Sequence, residues 1–234
     1  MNKFTSGILV FCLLNIAEVS NCQNKDIDSD YEDTFSLDSC TFSSEGRNLY
    51  FILEPGYRLI LQNTDEEENE ELIITVLNET RKIGNVETRV VEERESTDGN
   101  LKEISRNFFA YCRETGDIYY FGEEVDIYKD GKIKSHSGAW IAEGNNKAGL
   151  IMPGDPQTGF KYFEETAPGV AMDRAEIISL TETYSTPAGN FSKILRVLET
   201  SSLDKDEKEY KLYAPGIGLI KDEDLVLLKY GFIR

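Results

Sequence analysis

The sequence predicts an all-β fold, an antiparallel meander whose sheet is strongly curved or forms an incomplete β-barrel. From "NLYFILEPGYRLILQ" onward, the chain consists of short runs rich in Tyr, Phe, Ile and Val that are separated by turn residues, which is typical of strands. Helical periodicity is not sustained anywhere along the chain. Tight turn sequences join neighbouring runs, and strands joined in this way pair with their chain neighbours, which favours an antiparallel sheet.

The first element is an export signal. Residues 1–3 give a short basic start, and "FTSGILVFCLLNIA" is an apolar run of signal-peptide length that is too short to span a bilayer. The following "EVSNC" resembles the lipobox of bacterial lipoproteins, with Cys22 as the lipidated residue. We therefore expect a signal peptide at 1–21 and an exported envelope protein, in the outer membrane or at the cell surface, that contacts the membrane through a lipid on Cys22. Secretion without lipidation is the alternative.

The next segment, 22–46, is polar, acidic and without periodicity, and it predicts a flexible tether before a single β domain at 47–234. The chain has four cysteines. Cys12 leaves with the signal peptide, and acylation of Cys22 would leave Cys40 and Cys112 as an even pair in an oxidising compartment. A disulfide between them is expected, and two buried free thiols are the alternative.

Four hairpin turns are predicted in the first half of the domain. Each places residues that tolerate a positive φ between two strand-like runs. In chain order they are Gly84-Asn85, Asp98-Gly99, a turn containing Gly116, and Asp130-Gly131.

One stretch departs from this hairpin pattern and predicts a long irregular loop at about 138–160, with room for one short strand. It contains the only Trp, two prolines and five glycines, and long structured loops are often functional. Large apolar residues in and near this loop could line a concave face that takes an amphiphile, or they could simply plug the open end of the sheet. These candidates are Tyr119, Phe121, Trp140, Ile151, Met152 and Phe160.

Near the C-terminus, "APGIGLIK" resembles a phosphate-binding loop at first sight. It lacks the third glycine of the dinucleotide fingerprint and the "GK[ST]" of a P-loop, and a strand-like run rather than a helix follows it. We expect Pro215-Gly216 to form a turn, Gly218 to allow close approach of two backbones, and Leu219 to begin the closing strand pair.

Several segments together resemble a family of exported bacterial and archaeal proteins, many of them lipoproteins. The segments are Leu53-Glu54-Pro55-Gly56, "AYCRETGDIYYFGEEVDIYKDGKI", "SGAWIAEGNNKAGLIMPGDPQTG", "TPAGNFSKILRVLET", and a closing "YAPGIGLIK" of the form YxAPGxGLxK. The family is more distantly similar to LolA-like and TapB-like secreted domains. The resemblance implies a β-rich envelope protein with a curved sheet, and it supplies no catalytic residue.

Composition narrows the functional classes. Acidic residues outnumber basic ones 43 to 25, for a net charge of −18, which disfavours nucleic acid as a partner. The single histidine, His136, is flanked by serines whose side chains point to the opposite face of a strand, and no GxSxG motif is present. One histidine and widely spaced cysteines do not match zinc ligand sets. We expect no metal, cofactor or catalysis, and a monomer.

The sequence therefore predicts a non-catalytic envelope protein that binds an amphiphilic or hydrophobic ligand or an envelope partner. A structural or adhesive surface lipoprotein without a ligand cavity is the alternative. A carboxylate-dependent hydrolase using Asp155 with Glu164 or Glu165 is a third hypothesis, because sugar cleavage needs two acids across a cleft.

Overall fold

A computed structural model describes residues 30–63 and 68–233. Within these ranges the chain forms strands and turns, with a short 3-10 turn at Leu37–Ser39 and no α-helix. None of the helical structure in the described part is long and apolar enough to cross a bilayer. The all-β prediction is confirmed.

The strands range in length from two residues, as in β1, to the fourteen residues of β5 and β14. In chain order they are β1 Phe42–Ser43, β2 Gly46–Arg47, β3 Ile52–Leu53, β4 Tyr57–Asn63, β5 Glu70–Ile83, β6 Val86–Thr97, β7 Asn100–Cys112, β8 Ile118–Lys129, β9 Lys132–Ser135, β10 Trp140–Ile141, β11 Lys147–Met152, β12 Lys161–Phe163, β13 Glu165–Thr166, β14 Asp173–Thr186, β15 Gly189–Ser201, β16 Glu209–Ala214, β17 Gly218–Asp222 and β18 Leu225–Phe232.

Thirteen of these strands form one continuous antiparallel sheet that curves into a nearly closed barrel. Their spatial order is β12-β14-β15-β16-β17-β18-β4-β5-β6-β7-β8-β11-β13. The two ends of this path, β12 and β13, are adjacent in the chain and are separated only by Glu164. An unsealed seam therefore remains between β12 and β13, and the prediction of an incomplete barrel is confirmed.

The four predicted hairpin turns are present and connect β5 to β6, β6 to β7, β7 to β8, and β8 to β9. At two of them both central residues have a positive φ: Asp98 and Gly99 at 51° and 74°, and Asp130 and Gly131 at 53° and 72°. This backbone twist matches the right-handed twist of the flanking strands, which is why short Asp-Gly pairs form tight hairpins.

The C-terminal strands close the sheet against its first long strand. Gly216 has a φ of 74° in the turn between β16 and β17, and β18 pairs with β4 from Leu225↔Asn63 to Phe232↔Tyr57. Gly218 has a φ of 108°, and a Cβ there would meet Leu59 and Tyr50 only at ordinary contact distance, 3.6 Å. Its backbone conformation, rather than close packing, explains this glycine.

The described part of the predicted tether packs on the barrel. β1 pairs with β7, Glu32 N donates a hydrogen bond to Lys161 O at 3.0 Å, and the Phe35 ring lies 5.7 Å from that of Tyr119. The aromatic side chains of residues 30–46 therefore cover part of the outer surface of the barrel. The domain boundary at 46 stays a prediction. Residues 22–29, with Cys22, and the signal peptide lie outside the described residues.

A disulfide between Cys40 and Cys112 fixes this segment to the end of β7. The bridge joins residues 72 positions apart, and closing a loop of this size stabilises the fold by about 4 kcal/mol in the chain-entropy account.

The stretch expected to be a long irregular loop contains two strands, β10 and β11. β11 is part of the main sheet and pairs with both β8 and β13. The irregular backbone is interrupted by these strands and covers 138–139, 142–146 and 153–160.

Candidate functional site in the barrel interior

The barrel encloses a cavity of about 300 Å³, within the size range of small-molecule sites. One side of it is apolar. Alternate residues of β4 and β5 point inward there, namely Tyr57 and Leu59 together with Leu72, Ile74 and Val76. The alternation follows from the two-residue period of a strand.

A short segment, 48–53, packs across one end of the barrel. The Asn48 side chain donates hydrogen bonds to Gly116 O at 2.7 Å and to Pro153 O at 3.0 Å, and the Tyr50 hydroxyl donates to Lys193 O at 2.9 Å. Tyr50, Phe51 and Ile52 line the cavity. This end of the interior is therefore held closed by apolar residues.

The strands that follow β5 in the sheet carry acids on their inner face. Glu93 and Glu95 of β6, Glu103 of β7 and Glu123 of β8 line the cavity there. Pairing of β5 with β6 places Glu93 beside Ile74 and Glu95 beside Leu72. Acidic and apolar side chains thus stand next to each other on the same concave surface.

A β-bulge brings Glu123 into this surface. Asn107 pairs with Glu123 but Phe109 pairs with Tyr120, so three steps of β8 match two steps of β7. Gly122 accommodates the irregularity with a φ of 137°, and a Cβ there would lie 2.5 Å from Trp140 O. Without the bulge, Glu124 rather than Glu123 would share the face of Tyr120, because a one-residue shift reverses the direction of a side chain.

A second group of acids lines the cavity from the seam and from β14 to β17. With the four on β6 to β8, they bring the cavity-lining carboxyl groups of the described residues to eleven. This group comprises Glu164, Glu165, Asp173, Glu199, Glu207, Glu209 and Asp222. We call all eleven the acidic wall. Glu207 is exposed in the connection between β15 and β16, so the acidic wall reaches solvent there.

Lys211 is the single basic residue among the described residues that line the cavity. Its Nζ lies 2.6 Å from Glu199 Oε2 and 3.9 Å from Asp222 Oδ2. Burial lowers the pKa of Lys211, but Asp222 and Glu199 outweigh burial and hold that pKa well above its usual value. Lys211 is therefore a fixed positive charge that balances only a small part of the acidic wall.

Two carboxyl groups of the acidic wall are buried without a full set of partners. Glu164 is 5% exposed, and no described side chain or backbone group donates a hydrogen bond to its carboxyl group. Asp222 is also 5% exposed, and its Oδ1 has no hydrogen-bond partner within the described ranges. Buried polar atoms are normally satisfied, so these oxygens have unused capacity to accept hydrogen bonds from a bound group.

Burial raises the pKa of most of these acids, because a charged carboxylate loses hydration inside the barrel. Desolvation and then neighbouring acids raise the pKa of Glu95 and Glu123 to about 8. The pKa of Glu93 and of Glu209 rises to about 7, again chiefly through burial. Desolvation followed by Glu199 raises the pKa of Glu164 well above its ordinary value. Four carboxyl groups of the acidic wall therefore titrate near neutral pH.

The outer face of the same strands is arranged differently. Arg106 Nε lies 3.4 Å from Glu92 Oε2, and Arg106 Nη1 lies 3.2 Å from Asp126 Oδ2. Outward acids on β6 and β8 are therefore paired with a basic residue. Glu93, one position from Glu92, faces the cavity and forms no ion pair within the described part of the chain.

Of the six apolar residues predicted to line a ligand site, the structure places Ile151 in the cavity lining. Tyr119 and Phe121 contact Phe42 with ring centroids 5.8 and 5.4 Å apart, so they support the covering N-terminal segment instead. Trp140 is buried against Tyr120.

The remaining two candidates also lie elsewhere. Met152 is buried in the core, and Phe160 stacks on Tyr162 at 5.1 Å. Loop position alone did not indicate which apolar side chains face inward.

The carboxylate pair of the hydrolase hypothesis is not found together in the cavity. Asp155 is exposed and lies outside the cavity lining, whereas Glu164 and Glu165 are in it. His136 Nδ1 lies 2.8 Å from Val125 O and 3.0 Å from Asp126 Oδ1 on the outer surface.

The described residues include one group with ligand atoms close enough together for a metal ion. Cys40, Cys112 and Glu114 form the one group in the described ranges with ligand atoms within 4.8 Å of one another. Both sulfurs are in the disulfide, so neither is a thiolate ligand.

The acidic wall is the feature that sequence reasoning missed. The alternation in "VVEERES" separates Glu93 and Glu95 from Glu92 and Arg94 without showing which pair faces inward. The alternation does contain a clue. If Glu92 and Arg94 share the outer face, Glu93 and Glu95 must lie on the concave face.

No family model and no curated protein matches this chain. Among solved structures, it is similar to a crystal structure of a protein from Parabacteroides distasonis that is provisionally described as a lipoprotein. The two chains are 12% identical with a TM-score of 0.37, over 80% of this chain and 100% of that one. A likeness at this level carries no argument about function. The resemblance through the YxAPGxGLxK motif and the distant similarity to LolA-like and TapB-like domains stay predictions.

Proposed function

We propose that this protein is an exported, lipid-anchored and non-catalytic binding protein of the cell envelope, and that its barrel interior takes an amphiphilic ligand. The observation that supports ligand binding is the cavity of about 300 Å³ with an apolar side and an acidic side. A purely structural surface protein has no need of such a space, since barrel interiors of this kind are ordinarily filled by their own side chains.

The proposed location is supported by the sequence of the N-terminus. A basic start, an apolar core and "EVSNC" combine an export signal with an acylation site at Cys22. The tether after Cys22 would place the barrel a short distance from the membrane that supplies or receives the ligand.

The anchor is tested by metabolic labelling with a palmitate analogue in a host that processes lipoproteins. We expect the wild type to be labelled and a Cys22→Ala variant to lose the label. Equal labelling of both would overturn the lipid anchor.

Ligand binding is tested by native mass spectrometry of the protein purified from cells under conditions that retain non-covalent ligands. We expect a fraction of the protein to carry a bound small molecule that is released when the barrel is unfolded. A protein that is always free of ligand, and whose melting temperature is unchanged by a panel of amphiphiles, would contradict the binding function.

A further inference from the structure

The composition of the acidic wall indicates which kind of amphiphile fits. An apolar ligand alone would leave the carboxyl groups of β6 to β8 without a partner, and an anionic one would meet eleven acids and a single lysine. A positively charged head group can pair with the carboxyl groups, and an apolar body can pack against the apolar side chains of β4 and β5. The interior is complementary to a molecule with both.

The free oxygens of Glu164 and Asp222 specify where the charge would be held. Both side chains are 5% exposed and line the cavity, and Asp222 Oδ1 lacks a hydrogen-bond donor in the described part of the protein. An ammonium or guanidinium group donates several hydrogen bonds and accepts none, so it matches acceptors that have no donor. Lys211 itself shows that the site tolerates an ammonium group beside Glu199 and Asp222.

The spacing of the carboxyl groups argues against a bare metal ion. Calcium needs six to eight oxygen ligands converging on one point. In the described ranges, no three carboxyl groups of the acidic wall bring their oxygens within 4.8 Å of one another. The carboxyl groups are instead spread over the wall, which suits an extended organic cation with directional donors.

We propose that the barrel interior binds an organic cation carrying an apolar group, with its cationic head among the acids of the seam and of β15 to β17, which include Glu164 and Asp222, and its apolar part against β4 and β5. This inference rests on the proposed function, because it names the chemical class of the amphiphile. It identifies the acidic wall as a recognition surface rather than a solvated face.

Octylamine is a suitable probe, with octanol and octanoate as eight-carbon controls whose head groups are neutral and anionic. Isothermal titration is carried out on the mature chain from residue 22, with Cys22→Ser so that no acyl chain is attached. We expect octylamine to bind at one site, at least tenfold more tightly than octanol, and octanoate to show no binding.

The test variant carries two substitutions, Glu164→Gln and Asp222→Asn. They keep the side-chain shapes and replace two ionisable carboxyl groups with neutral amides. We expect octylamine affinity to fall at least tenfold while octanol binding is retained. The matched control is Glu79→Gln with Glu87→Gln, two exposed acids on β5 and β6, which should leave octylamine affinity within twofold of wild type.

A second measurement on the wild type does not depend on the variants folding. Glu164 faces Glu199, Asp173, Lys211 and Glu209, and a bound cation favours the charged form of these acids. Octylamine binding should therefore release protons, seen as different heats in phosphate and Tris buffers, and its affinity should rise about tenfold from pH 6 to pH 8. Octanol affinity should be independent of pH.

The outcomes separate the two proposals. If octanol or octanoate binds as well as octylamine, without proton release, the cation inference is wrong while amphiphile binding stands. Stoichiometric binding of calcium that octylamine does not displace would also overturn the inference that the ligand is an organic cation. If none of the three probes binds and native mass spectrometry finds no ligand, the proposed function itself fails.

Discussion

The difference between Glu92 and Glu93 shows how one step along a strand changes the chemistry of a carboxyl group. Glu92 lies 3.4 Å from Arg106 on the outer face. Glu93 faces the cavity, where burial raises its pKa to about 7. Successive side chains of a strand point to opposite faces, so the same residue type is an ordinary surface charge at one position and a group that titrates near neutral pH at the next.

A Glu93→Gln variant tests this assignment. Above pH 7 the wild-type carboxylate is charged inside the barrel, and a neutral amide of the same shape removes that cost. We expect the free energy of unfolding to rise by about 1–2 kcal/mol at pH 8 and to change little at pH 5, measured by urea denaturation. Glu87→Gln on the same strand is the exposed control and should have no effect at either pH. Equal effects of Glu93→Gln at both pH values would contradict the assignment.

At the scale of elements, the seam between β12 and β13 determines how nearly the barrel closes. Glu164 connects the two edge strands, and its N donates a hydrogen bond to Asp173 O at 2.9 Å. β11 runs antiparallel beside this connection, so closely that a Cβ at Gly149 would clash with Glu164 O. Contact between backbones, which only glycine permits at this distance, holds the two edges of the sheet together and positions the Glu164 side chain in the cavity.

Gly149→Ala should therefore loosen the seam. The added methyl group meets backbone atoms, which do not move aside as a flexible side chain would, and overpacking of this kind costs about 1–3 kcal/mol. We expect a lower melting temperature and faster amide hydrogen exchange in β11, β12 and β13. The hairpin of β5 and β6 lies away from the seam and provides the internal control. A variant with unchanged exchange at the seam would show that this contact is not needed for closure.

At the scale of the whole molecule, the barrel is a shell with apolar and acidic inner sides and an acidic exterior. The net charge of −18 is that of the full chain, and some of the acidic side chains lie inside the barrel. Acids with a raised pKa bind protons more tightly in the folded state than in the unfolded one. They contribute stability that is fully present below their unfolded value of 4.5 and that is lost as the pH rises through about 7 to 8.

The melting temperature of the ligand-free protein should therefore fall between pH 5 and pH 8. One pKa unit corresponds to about 1.4 kcal/mol, and several groups are involved, so a decrease on the order of 10 °C is expected. Calorimetry in buffers of matched ionic strength checks this. A protein that becomes more stable between pH 5 and pH 8 would contradict the burial of these acids.

Much of the fold could be predicted from the sequence because its determinants are local. The Asp98-Gly99 and Asp130-Gly131 turns specify hairpins through backbone conformations that few other residues adopt. Alternating apolar runs between such turns are sufficient to indicate an antiparallel, curved sheet. The Cys40 and Cys112 pair followed from the cysteine count, and the structure contains that bridge.

The site could not be predicted in the same way, because its determinants are not local. Which face of β6 lies inside depends on how thirteen strands curve, and the inward direction of Glu123 depends on a bulge at Gly122. The sequence by itself determined the strands, the turns and the disulfide, since each follows from the preferences of a few adjacent residues or from cysteine chemistry. Only the tertiary structure decided that the acids form a wall inside the barrel, because burial and mutual repulsion among carboxyl groups exist only once distant strands are brought together.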